Sequence, residues 1–161
     1  MFVLAQSIMV AQAQTEQNQS LFETVHKYAT AIVNDPKSSE EQIQTNQFKV
    51  TALNYITTQV MKRGLKKNEY FFDSQAVNMQ MFVSEFLMNL DKAGAISAAK
   101  RMEVIKVYRD ASLKNPLFND TDRERTYCYV NDKQTFTPFS LDTDWEKAYE
   151  QATKNIKTVF K

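Results

Sequence analysis

The sequence predicts a mainly all-α fold: about five helices in an antiparallel bundle, with one small β-hairpin inserted before the last helix. Three observations lead there. Apolar residues recur at three- and four-residue steps over most of the chain, the signature of helices buried along one face. Only two glycines and three prolines interrupt 161 residues, and most stand where such a pattern stops. Between the fourth and fifth helical patterns the periodicity changes, and Thr126-Tyr-Cys-Tyr-Val130 is rich in β-formers.

The first helix is expected from Leu21 to Asn34, with Leu21, Val25, Tyr28, Ala29 and Ile32 on one face and Asn34-Asp35-Pro36 as its stop. The second begins at Ser38 or Ser39, where Ser38 and Glu41 have capping-box spacing, and runs to Arg63 with Ile43, Val50, Leu53, Ile56 or Thr57, and Val60 inward. Lys62, Arg63, Lys66 and Lys67 gather at its end, where positive charge offsets the helix dipole. The third, about residues 68–92, has the clearest stripe: Phe72, Ala76, Met79, Val83, Phe86 and Leu90 at 4-3-4-3-4 spacing, widened by Phe82 and Leu87. A fourth, about residues 96–113, presents Ala98, Met102, Ile105, Tyr108 and Ser112, and the small Ala95, Ala98 and Ala99 invite close packing. Gly64 and Gly94 stand where a helix C-terminus favours positive φ.

Two alternating runs near 126–137, around Asn131-Asp-Lys133, then read as a hairpin, with Pro138 at a strand edge. Tyr127 and Tyr129 fall on one face of it; Thr126, Cys128 and Val130 fall on the other. The last helix starts near Asp142-Thr143, Thr143 and Glu146 having capping-box spacing, and buries Trp145, Ala148 or Tyr149, Ala152, Ile156 and Val159.

The N-terminus reads differently. Residues 1–13 form an apolar run ending in Ala11-Gln12-Ala13, a small-x-small site whose cleavage would fall between Ala13 and Gln14. The first charged side chain is Glu16, so the α-amine of Met1 is the positive charge ahead of that run, unless a longer signal starts upstream. A polar spacer, 14–20, leads to a single helical domain at 21–161. This reading implies an exported protein, extracytoplasmic (periplasmic or secreted). The apolar run is far short of the ~20 residues that span a bilayer, and no transmembrane span is expected.

Composition narrows the function classes. Apolar residues make up 43% and aromatics 12%, enough for a core without metal or disulfide staples. A net charge of +1 supplies no field to steer the chain to nucleic acid, which is not expected as a partner. Cys128, the one cysteine, leaves no internal disulfide, and two glycines are too few for a phosphate-wrapping loop. His26 is the one histidine, without the second ligand or triad partners that metal or nucleophilic chemistry needs.

The acidic run Asn119-Asp-Thr-Asp122-Arg-Glu124 resembles the opening of a calcium loop, but lacks the turn glycine and has Asn131 where the closing Glu belongs. Asp142, Asp144 and Glu146 alternate too, and suit a helix N-terminus better. Lys147, Lys154, Lys157 and Lys161 line the last helix, with Glu150 and Lys154 at ion-pair spacing, as on an ordinary solvated face. Asn18-Gln-Ser20 and Asn119-Asp-Thr121 match the glycosylation triplet.

No catalytic residues, metal ligands or cofactor are assigned. Aromatics gather around the hairpin, as glue to the bundle or as a binding surface centred on Tyr127 and Tyr129. The expected function is non-catalytic binding of another protein or a cell-envelope component. The alternatives are a small extracytoplasmic enzyme using carboxylates, or a self-associating structural subunit.

Overall fold

The computed structural model describes residues 19–121, 127–131 and 136–161, leaving the side chains of 127–131 and 136–138 undescribed. The signal-like segment 1–13 and its expected cleavage point, Ala13 and Gln14, lie outside the described residues. Among the described residues five helices appear: α1 (Leu21–Asn34), α2 (Glu40–Lys62), α3 (Glu69–Gly94), α4 (Ala98–Lys114) and α5 (Trp145–Val159). Two strands, β1 (Tyr127–Asn131) and β2 (Phe136–Ser140), precede α5.

Each helix start is fixed by a side chain that accepts one of the free backbone N–H groups of the first turn. Ser20 caps α1, Asn68 caps α3, Ser97 caps α4 and Asp144 caps α5. At α2 the capping box is one residue later than its spacing suggested. Ser39 Oγ accepts from Gln42 N at 3.2 Å, while Gln42 Oε1 accepts from Ser39 N at 2.8 Å. Likewise Asp144, not Thr143, caps α5, because Thr143 is buried and hydrogen-bonded inward. Gly64 does take a positive φ of 62° just beyond α2. Gly94 does not; it remains the last residue of α3, and a Cβ there would stand 3.3 Å from the Arg101 guanidinium.

α3 is the hub. It packs against α1 on one side and against α4 and α5 on the other, while α2 lies mainly on α1 and β1. α2 and α3 barely touch, and the strands stand in their place: β1 lies on α2 and β2 lies on α4. Most of the buried apolar residues among those described form one cluster. At its centre Phe139 of β2 meets Phe48, Phe82 and Phe86 edge-on, with ring centroids 5.7, 5.4 and 5.1 Å apart. Trp145 stands against Phe48 and Phe82, and Tyr108 against Phe82 and Phe86. A short two-stranded ladder is marginal alone; here one ring from it completes the core of the bundle.

β1 and β2 pair antiparallel, Cys128 opposite Phe139, Tyr129 opposite Pro138 and Tyr127 opposite Ser140. The second strand is therefore displaced from the expected 134–137, since Phe139 must reach the core. Pro138 is tolerated because a two-stranded ladder leaves every residue on an edge. Of the expected turn, Asn131-Asp-Lys133, Asn131 belongs to β1, and residues 132–135 lie outside the described residues.

Three expected faces need correction. Leu21 and Tyr28 of α1 are exposed and Phe22 turns inward, while Val25 and Ala29 face inward as expected. Edge-on packing of Phe22 on Phe72 and a 2.8 Å bond from Phe22 N to Asp73 Oδ1 set that rotation. Phe48 is the principal core residue of α2. On α4, Ile105, Tyr108 and Ser112 are buried as expected, with Val104 and Ala111 beside them, but Met102 and Ala98 are exposed, so the alanines at its start do not make a close helix contact.

Candidate functional site

The six residues Ser140-Leu-Asp-Thr-Asp-Trp145, joining β2 to α5, are all buried. A segment this polar survives burial only if its polar groups find partners. Asp142 accepts three backbone N–H groups: Leu117 at 3.1 Å, Phe118 at 2.7 Å and Asp120 at 2.6 Å. Its carboxylate thereby shapes the turn after α4, where Asn119 takes a φ of 54°. Thr143 Oγ1 lies 2.8 Å from Ser112 Oγ and bonds to the Ser140 carbonyl, and Ser112 Oγ accepts from Ser140 N at 2.9 Å. Gln75 of α3 bridges the start of α5, its amide donating to Asp144 Oδ1 at 3.2 Å while its oxygen accepts Trp145 N at 2.8 Å.

These bonds divide the alternating carboxylates among separate tasks. Asp142 holds the turn, Asp144 caps α5 and pairs with Lys147 at 3.0 Å, and Glu146 accepts from Ser74 at 2.9 Å. Asp120, from the calcium-like run, accepts from the Tyr55 hydroxyl at 3.0 Å and lies 3.8 Å from Arg63. Arg63 also donates to the Phe118 carbonyl and stacks on the Phe118 ring. No group of three or more His, Cys, Asp or Glu side chains converges among the described residues. His26 sits beside Asn54, its Nε2 2.9 Å from Asn54 Oδ1.

The sequence reading missed the titratable groups that the fold shifts most. Lys49 is 6% exposed in the middle of the inner face of α2, and burial lowers its amine to about 8. It has no hydrogen-bond or ion-pair partner among the described residues, and the neighbouring Thr45 hydroxyl is buried and unpaired. Burial pushes the Tyr108 hydroxyl up to about 12, although Asn89 donates to it at 2.9 Å. Tyr55 is raised by burial, then by Asp142 and by Asp120. Tyr149 is raised first by donating to Glu85 at 2.7 Å.

Two surfaces remain for recognition. The first is the outer part of the β pair. Tyr127 and Tyr129 lie in β1 as expected, but their side chains lie outside the described residues. Their register positions are one step out of phase with position 139, whose ring is buried. Of the aromatics grouped with them, Phe139 and Trp145 belong to the core and Tyr70 is exposed on α3. The second surface is a groove of about 480 Å³ between α3 and α5, lined by Asn78, Glu146, Tyr149, Glu150, Thr153, Lys154 and Lys157. The expected pair between Glu150 and Lys154 is not formed. A surface pair at this spacing contributes only about 0.3–0.5 kcal/mol, too little to hold both side chains together. No helix among the described residues is long and apolar enough to cross a membrane.

Comparison with family models, with curated proteins and with solved structures finds no match to this chain.

Proposed function

We propose that this chain is an exported, non-catalytic helical protein that binds another protein or a cell-envelope component through the outer side of its β pair. The observation that carries the reading is the register of β1 on β2. Phe139 is committed to the core, and positions 127 and 129 stand one register step either side of Cys128, its cross-strand partner. Tyrosine suits such a position, since its ring offers apolar area and its hydroxyl a polar tip. Tyr129 pairs with Pro138, whereas Tyr127 pairs with the buried Ser140. Tyr129 is therefore the stronger anchor. Export rests on the apolar run and small-x-small site of residues 1–13.

A photo-crosslinking residue placed at 129, and separately at the exposed Lys106 of α4, tests the surface in intact cells. The reading expects a discrete adduct from position 129 and none from 106. Adducts from both positions alike, or from neither, would overturn it. Circular dichroism of each variant establishes that the helices are retained.

A further inference from the structure

We infer that the groove between α3 and α5 is the self-association face of the molecule, occupied by α5 of a second copy running antiparallel. Four charged residues of this face are exposed, and their order is the reason. Glu146 and Glu150 occupy the first half of the helix, and Lys154 and Lys157 the second. Glu150, Lys154 and Lys157 have no ion-pair partner among the described residues, so their charge is available to a partner. From 146 to 157 the stripe spans roughly 16 Å at 1.5 Å per residue.

A partner for this face must present the opposite order of charge along the same length. A two-fold-related copy does so by symmetry, because an isologous contact brings each residue of the patch against its counterpart's neighbour. With the axis level with residue 152, Glu150 faces the partner's Lys154 and Lys154 faces the partner's Glu150. On the same axis Glu146 comes within one residue of the level of the partner's Lys157. A parallel arrangement would set like charges together, so charge selects the antiparallel one. Apolar surface is at hand beside these charges. Tyr149 and Thr153 line the groove, and Met81, 42% exposed, lies one turn along α3 from Asn78. Glu85, the next turn again, is tied to Tyr149, which holds α3 and α5 in the relation that forms the groove.

This inference does not depend on the tyrosine surface or on export, and its test is separate. Sedimentation equilibrium of the wild-type chain should give a mass rising toward that of a dimer at concentrations on the order of 0.1 mM, the range of a small charged contact. Higher salt should weaken it. E150K and K154E each place like charges across the axis, and each should be monomeric, with the dimer dissociation constant raised at least about tenfold. Mixed in equal amounts they restore both cross-axis pairs, and the mixture should dimerise again. Both substitutions are on exposed positions, and circular dichroism verifies each fold. A wild-type chain that stays monomeric across the range would overturn the inference. So would dimerisation of E150K or K154E alone at wild-type strength, or a mixture that remains monomeric.

Discussion

Replacing Lys49 by Met should stabilise this protein at neutral pH, against the usual direction of core substitutions. Lys49 is 6% exposed, and its amine is lowered from 10.5 to about 8 by burial. At pH 7 the fold must hold a largely desolvated ammonium that has no partner among the described residues. A lowering of this size corresponds to about 3 kcal/mol of disfavour for the charged form in the fold relative to the unfolded chain. Methionine keeps the unbranched stem and most of the volume without the charge. The variant should therefore be more stable by up to about 3 kcal/mol at pH 7. The gain must also depend on pH in a definite sense. Above pH 8 the folded amine becomes neutral while the unfolded one stays protonated to 10.5, so the wild type recovers stability across that interval. The difference between the two proteins should shrink as pH rises and be small near pH 10.5. Urea unfolding followed by fluorescence of Trp145, the one tryptophan, measures it at each pH. A variant less stable than wild type at pH 7, or a difference independent of pH, would refute the reasoning, since either means the ammonium is compensated in the fold.

Other consequences follow from the same geometry. D142N should cost about 2–3 kcal/mol, because the charged acceptor of three backbone N–H bonds is replaced by an amide with one acceptor oxygen; urea melts check it, and loss below 1 kcal/mol would show that the turn after α4 holds itself. F139A should cost about 3–5 kcal/mol, since a fully buried ring touching three helix aromatics is removed; the shift in urea midpoint reports it. Above pH 10 stability should fall. The unfolded tyrosines ionise there while Tyr108, pushed up to about 12, and Tyr55, also raised, keep their protons in the fold. Y108F should make that alkaline slope shallower, and an unchanged slope would remove Tyr108 from the explanation.

What could be read in the sequence depended on how cleanly each element separates apolar from polar. On α3 the stripe Ala76, Met79, Val83, Phe86 and Leu90 is buried throughout, and on α5 Trp145, Ala148, Ala152, Ile156 and Val159 are. In both helices the apolar positions of that stripe follow one another at helical spacing without a polar residue in their place. The first half of α2 differs: Thr45, Asn46 and Lys49 are buried beside Phe48, so polar residues occupy the positions that periodicity assigns to the interior. Phe48 is hidden by that mixture. On α1 Phe22 packs inward where Leu21 and Tyr28 are exposed, and on α4 Val104 and Ala111 are buried where Ala98 and Met102 are exposed, so the expected stripes hold only in part.

The alternation at 126–130 was enough to place Tyr127 and Tyr129 in a strand, and the register on β2 came only with the position of Phe139. The polar network around residues 140–145 had no local signature. Gln75 meets Trp145 across 70 residues and Ser112 meets Thr143 across 31, distances over which no spacing rule operates. The charge order along α5 was visible as letters, but it became a surface only when α3 formed the other wall of the groove.

The compartment is the premise from which the binding proposal proceeds, and intact mass of the native protein after cell fractionation tests it most directly. The account predicts a chain beginning at Gln14, allowing for cyclisation of that glutamine, in the periplasmic or culture fraction. A chain that retains Met1 in the cytosol would contradict it.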